Sequence, residues 1–332
     1  MKAVVCGCDS HPVRSLALML KSVGFDVKML TDKAMEGLAK RGYTGGVTAE
    51  LLKNMGYVDA GLPPAEASDL DDCDLYVDIK VPDADSMLKI YPRLSGRTAI
   101  FLINGGGDAY LTYGDHYPVI TTNFLVRSNA FQVYMPFDNF QGLVPRAKRE
   151  TFEPPMGLLH NAKNWGFGVI LDRVIERTGL RIYGSYASPA GLLPNEKVGE
   201  ELSKSLAFVH MKASDCPGYA LYEAFATATP IVVTELFIER MHYHDLYLDG
   251  KTCLTWGKGS FKKLDEDKFQ EFIDASADSM TDQITDCVER LKDPVLNRKI
   301  GLAGHELWKK KTAWTDARRR QFESFLKEKS LL

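Results

Sequence analysis

Two carboxylates eight residues apart frame the stretch of this chain best suited to chemistry. Asp215 stands in the loop Asp215-Cys216-Pro217-Gly218-Tyr219, and Glu223 follows in Ala220-Leu221-Tyr222-Glu223-Ala224-Phe225-Ala226. Leu221, Ala224, Phe225 and Ala228 recur at three- and four-residue spacing, which makes one apolar stripe of a helix and puts Glu223 about one turn inside it, off the stripe. Pro217 suits the first turn of that helix. The free amides of such a turn, together with the helix dipole, favour an anionic group. A diphosphate docked there has carboxylates close by to hold hydroxyls. Thr229-Pro230-Ile231-Val232-Val233-Thr234 then reads as a buried strand. The same residues also fit an ordinary loop, helix and strand of an α/β domain carrying two solvated acids.

The elements that must position these groups alternate between β and α. Residues 3–6, 26–30, 75–79, 98–103 and 119–121 are short apolar strands, residues 13–23 form a helix, and Gly24 is its C-cap. Short apolar strands between helices predict a parallel sheet. Further on, residues 157–161 and 180–185 read as strands flanking a helix. Residues 137–155, with Pro145, Pro154 and Pro155, read as a hinge. A chain of 332 residues, 45% of them hydrophobic and without a low-complexity tract, predicts two α/β domains. The loop Cys6-Gly7-Cys8-Asp9-Ser10-His11 after the first strand lacks G-x-G-x-x-G, which disfavours a nicotinamide dinucleotide. Asn104-Gly105-Gly106-Gly107-Asp108 takes backbone where side chains cannot go. A substrate loop and a ligand-free turn fit it equally.

The segment from Asp215 to Pro230 resembles the E-x7-E signature of retaining glycosyltransferases of the family 4 type, E-G-F-G-x-x-x-x-E-A-x-A-x-G-x-P-V-V. Asp215 stands for the first Glu; Gly218, Glu223, Ala224, Ala226 and Pro230 match in register; Cys216, Pro217 and Ala228 depart from it. Tyr247-Leu248-Asp249-Gly250-Lys251-Thr252-Cys253-Leu254 is similar to the family's following D-G-x-x-G-x-L-V segment, and Asp293-Pro294 with Arg298, Lys299, Ile300 and Gly301 to its late helical region. Trp314 falls at its closing F-S-W motif. The first half matches in layout, at residues 117–123 and 133–140, more than in motif.

The resemblance implies the GT-B architecture: two Rossmann-like parallel-sheet domains facing each other across a cleft. Residues 1–140 would be the acceptor domain, 141–312 the nucleotide-sugar domain, and 313–332 a helix packing back toward the first domain. It also implies roles. Glu223 would bind the ribose hydroxyls of the nucleotide and Asp215 those of the donor sugar. Lys163 would hold the diphosphate, with Lys212 a second cation, since the family's lysine position is taken by Trp165. Gly184 and Ser185 would meet the nucleotide end, and Gly218 and Tyr219 the donor. Asp9, His11, Asp78, Asn104 and His116 are the acceptor-side candidates, although no histidine stands where the family often has one. The implied reaction moves a sugar from a nucleotide-sugar, a UDP-sugar foremost, to an acceptor hydroxyl with retention, and needs neither metal nor cofactor. The departures also fit a second reading: a catalytically degenerate GT-B-like protein that binds a nucleotide or a partner.

Composition bounds the rest. Six cysteines without a framework of short spacings predict free thiols in a reducing compartment. With no secretory pattern at the start and no long apolar run, the expectation is a cytoplasmic enzyme, in the host cytoplasm if virus-encoded. His242 and His244 lack further ligands at structural-zinc spacing, so no metal site is expected. The net charge is −3, but residues 59–85 hold nine acids against Lys80, while Lys309-Lys310-Lys311 and Arg318-Arg319-Arg320 lie together near the other end on what reads as one terminal helix. Such triplets are commonly a solvated face. They also suit a phosphate backbone, so a hydroxylated base in DNA joins small metabolites and polysaccharide ends as a candidate acceptor.

Overall fold

The computed structural model describes residues 1–6, 10–30, 32–42, 62–79, 81–102, 113–122, 129–134, 143–158, 166–184, 190–212, 219–241, 245–261 and 268–332. The chain divides into two compact units, one of Met1–Gln141 with Thr312–Leu332, the other of Gly142–Lys311.

In the first unit seven parallel strands lie in the order β3-β2-β1-β4-β5-β6-β7. They are β1 (Lys2–Val5), β2 (Asp26–Leu30), β3 (Pro64–Ala65), β4 (Leu75–Asp78), β5 (Thr98–Leu102), β6 (Val119–Thr121) and β7 (Ala130–Gln132). Every residue of β4, β5 and β6 is buried, as strands covered on both faces must be. The strands expected at 26–30 and 119–121 are reproduced, and the other three shift by a residue at one or both ends. Helix α1 (Ser10–Ser22) ends in a Schellman turn at Gly24: φ is +95°, the Phe25 amide donates to Leu20 O (3.1 Å) and the Gly24 amide to Lys21 O (3.1 Å).

Among the described residues the remaining α-helices, in chain order, are α2 (Asp32–Ala39), α3 (Asp69–Asp72), α4 (Val81–Ile90), α5 (Tyr113–His116), α6 (Gly168–Thr178), α7 (Asn195–Lys204), α8 (Tyr219–Ala226), α9 (Glu235–Met241), α10 (Phe269–Arg290), α11 (Pro294–Thr312) and α12 (Asp316–Glu328). The basic triplets therefore sit on two helices, not one, because residues 313–315 interrupt them. Lys309, Lys310 and Lys311 close α11, where Lys311 pairs with Asp245; Arg318, Arg319 and Arg320 open α12, where Arg319 faces Asp316. Helix α12 belongs to the first unit. Its Phe322 and Phe325 pack on Phe131 of the edge strand β7, at 5.0 and 5.7 Å between ring centroids, and Trp314 Nε1 donates to Ser22 Oγ (3.1 Å).

The second unit carries five parallel strands, β8 (Met156–Leu158), β9 (Arg181–Tyr183), β10 (Phe208–His210), β11 (Ile231–Thr234) and β12 (Leu254–Trp256), in the order β12-β11-β10-β8-β9. On one face Ile170, Leu171 and Val174 of α6 and Ile273, Ala277, Met280 and Ile284 of α10 join Val209, Val232 and Leu254 in one core. Arg173–Asp278 and Arg177–Asp282 ion pairs link the same two helices, one turn apart. The boundary between the units, Gln141/Gly142, falls within the segment expected to be a hinge, and from Arg146 onward that segment is fastened to the second unit. The Arg146 amide donates to Thr227 O (2.9 Å), its guanidinium bonds Ser205 O (2.6 Å) and Asn297, and it lies 4.6 Å over the Phe152 ring. The prolines suggested a joint; the arginine makes an anchor.

On the other face, α8 ends in a second Schellman turn. Ala228 takes φ +54°, its amide donates to Phe225 O (3.0 Å), and the Thr229 amide donates to Ala224 O (2.8 Å). Helix α11 crosses this turn on a glycine face. A Cβ on Gly301 would lie 2.1 Å from Ala228 O, and one on Gly304 would lie 2.9 Å from Thr252 O. One turn on, His305 Nδ1–H donates to Phe225 O (2.9 Å). Gly301→Ala should therefore destabilise the protein by about 2–3 kcal/mol, because backbone must move to admit the methyl. Ala228→Gly should stabilise it by about 1 kcal/mol by relieving left-handed strain. Urea unfolding midpoints of the two variants test both signs.

Candidate functional site

The carboxyl ends of β8, β9 and β10 collect the sequence candidates of the second unit. In an open parallel sheet ligands sit at such ends, where the strand order reverses, here between β8 and β10. β8 runs into residues 159–165, which contain Lys163; β9 runs into Gly184 and Ser185; β10 runs into Lys212 and then into 213–218, which contain Asp215 and Gly218. Lys163, Ser185, Asp215 and Gly218 lie outside the described residues, as does the Tyr219 side chain at the start of α8.

Three candidates are described. Gly184 adopts φ +104°, a backbone suited to glycine, and its amide donates to Gly191 O (3.4 Å) just past the end of β9. Lys212 is 6% exposed and Glu223 7%. Charged side chains are almost never buried so deeply unless partnered, and both are engaged within the protein. At Glu223 this removes the reading of a solvated acid. It also corrects the one-stripe picture of α8: Leu221, Tyr222, Ala224, Phe225 and Ala226 are all buried, so the helix has no wet side on which Glu223 could rest. Glu223 thus lies about one turn into α8, which follows the carboxyl end of β10.

The sequence reading missed His210. It ends β10, two residues before Lys212 and on the same side of the strand, and its ring lies edge-on to Phe237 at 4.6 Å. It is 1% exposed, and among the described residues neither ring nitrogen has a hydrogen-bond partner. Burial, with the Lys212 charge added, holds the imidazole well below its ordinary pKa, hence neutral. The only signal in the sequence was a histidine inside an apolar strand just before the signature loop.

In the first unit, Asp9 and Asn104 lie outside the described residues, as does the His11 side chain, although His11 falls within α1. Asp78 ends β4 fully buried: one oxygen accepts from Tyr76 Oη and the other from the Ile79 amide (2.7 Å). Those bonds tie it into the strand end. His116 is exposed at the end of the single-turn helix α5. Beside it Tyr117 donates to Asp85; burial first, then that bond, raises the phenol's pKa. Among the described residues no three His, Cys, Asp or Glu side chains gather as metal ligands; His242 and His244 lie outside them.

No known protein family and no curated protein matches the chain by sequence. The structure is similar to that of sucrose-phosphate synthase from Thermosynechococcus elongatus, with a TM-score of 0.59 at 12% identity, covering 99% of this chain and 98% of that one. A weaker likeness, with a TM-score of 0.48 at 11% identity, is to MurG of Acinetobacter baumannii, over 98% of this chain and 99% of that one. With its two parallel-sheet units, the protein has the GT-B fold, two Rossmann-like α/β domains. Among the described residues no helix is long and apolar enough to cross a membrane.

The buried imidazole makes stability depend on pH. His210 is neutral when folded but takes a proton near pH 6.5 when unfolded, so its contribution is complete above about pH 6.5 and is lost as pH falls toward the depressed folded value. Between about pH 6.5 and 5.5 the unfolding free energy should drop by up to about 1.4 kcal/mol from this group alone. Comparing urea midpoints of wild type and His210→Phe across that range checks it: the variant should lose this part of the slope.

Proposed function

We propose that the protein is a retaining glycosyltransferase that takes a sugar from a nucleotide-sugar, a UDP-sugar first among them, to an acceptor hydroxyl. The observation that carries this reading is Glu223, a carboxylate buried one turn into α8 at the carboxyl end of the second sheet of a GT-B fold, at the glutamate of the E-x7-E resemblance. The free first-turn amides of α8 favour the diphosphate, with Lys212 and Lys163 supplying cationic charge. Glu223 holds the ribose hydroxyls and Asp215 those of the sugar. Gly184 and Ser185 take the nucleotide end.

The bond from the anomeric carbon to the diphosphate oxygen breaks while the acceptor oxygen bonds to that carbon on the same face. The acceptor proton passes to the departing diphosphate oxygen, leaving a glycoside and a nucleoside diphosphate. The protein contributes alignment and stabilisation of the departing negative charge. Metal and cofactor have no step in this scheme.

Glu223→Gln, which keeps the shape of the side chain, should lower kcat/KM for transfer or donor hydrolysis by about 100-fold or more, near 3 kcal/mol of transition-state stabilisation. Lys212→Met and Lys163→Ala should each weaken the response to UDP in a thermal-shift titration, since a ligand of the folded state raises its Tm. Wild-type rates in a folded Glu223→Gln protein would remove that residue from the site. UDP binding with no hydrolysis or transfer of any donor would favour a degenerate binder instead.

For the acceptor, the proposal is a hydroxylated base in DNA, supported by the two basic triplets, of which Lys309, Lys310 and Arg320 are exposed. Replacing Arg318, Arg319 and Arg320 with Glu should weaken DNA binding and flatten its salt dependence, because fewer counterions are released. Unchanged binding and transfer to hydroxymethylated DNA would discard the role of this triplet.

A further inference from the structure

At the amino edge of the second sheet, opposite the strand ends just described, the protein gathers cations around a hollow. Arg146, Lys148, Arg149 and Arg298 border an open depression, with Phe152, Ala228 and Leu302 supplying apolar surface and Asn297 a polar wall. Among the described residues none of the four cations forms an ion pair with a carboxylate. The nearby acids are directed elsewhere: Glu150 and Glu153 line a separate groove, and Glu153 pairs with Arg181. Arg146 is anchored by its bonds to Ser205 O and Asn297, so it cannot swing away from its neighbours. Burial, and then repulsion from Arg149, bring its pKa down to about 10. Like charges held together on a fixed arginine, with no anion of the protein's own, raise the local potential and favour a counter-charge from solution.

We propose that this depression is a binding site for a small phosphate-bearing anion, separate from the donor site. The cations converge on one hollow instead of running in a row, which suits a phosphate or diphosphate group and not the length of a duplex backbone. Lys148, Arg149 and Arg298 are exposed, while the half-buried Arg146 supplies fixed positive charge. The site adjoins Ala228, the turn that ends α8, so an occupant would brace the end of the helix that carries Glu223.

Isothermal titration of the full chain with inorganic pyrophosphate, with and without saturating UDP, tests this. With saturating UDP occupying the diphosphate subsite of the proposed donor site, wild type should still bind pyrophosphate. Arg149→Ala and Arg298→Ala, both at exposed positions, should each weaken pyrophosphate about tenfold, and the double variant more, while leaving UDP binding unchanged. Absence of binding at millimolar concentration, displacement by UDP, or unchanged affinity in the double variant would each overturn the site. A protein that binds pyrophosphate but not UDP would keep this inference and lose the proposed donor. Competition by phosphatidylglycerol vesicles, with phosphatidylcholine vesicles as control, would identify a lipid headgroup as the source of the phosphate; its absence would identify a free phosphorylated molecule.

Discussion

The seating of α11 on the turn that ends α8 is the constraint on which the second unit's site depends. Gly301 brings one backbone against another at the carbonyl of Ala228, and His305 adds a second hydrogen bond to the Phe225 carbonyl, which already accepts from the Ala228 amide. Only glycine permits that approach, and only a firm approach fixes where α8 points. Glu223 lies on the helix that this contact seats. Gly304 repeats the device against Thr252, so the loop before β12 is held by the same helix face.

The electrostatics follow from that burial. In a unit whose interior is aromatic and aliphatic, Lys212 and Glu223 are kept nearly dry within an element or two of each other, and His210 beside them is neutral. Desolvated charge of this kind costs stability unless it is compensated, and it interacts more strongly with an incoming charged group than the same residues would in water. Proteins tolerate such costs most readily where binding recovers them.

Much of the fold was legible because parallel sheets announce themselves in runs of apolar residues: the strands at 26–30 and 119–121 stand where those runs stand, and Gly24 caps its helix as its position suggests. The short edge strands β3 and β7 were not legible, since two or three residues carry no periodicity and gain their pairing from neighbours already in place. Prolines marked the segment that holds the boundary between units, but not that Arg146 fastens its later part through contacts far off in the chain. At the site, Glu223 could be picked by its spacing, but its depth could not, because burial all round depends on α11, some 80 residues later. His210 was invisible for the same reason: a histidine in a strand is unremarkable until its surroundings are known. Ala228 was read as a departure from a glycine, and the structure shows what the glycine would have been for, a left-handed helix end.

The first unit is assembled from both ends of the chain, with α12 contributing Phe322 and Phe325 to cover Phe131 on the last strand of the sheet. During vectorial synthesis the sheet formed by the first 141 residues must therefore wait, one edge uncovered, while the whole intervening unit emerges and folds. The first unit can thus be completed only after the second has been synthesised. An exposed strand edge left waiting is a place where chains pair wrongly with one another. The brevity of β7, three residues, limits that hazard: it offers a neighbouring chain too short a template to hold until α12 arrives.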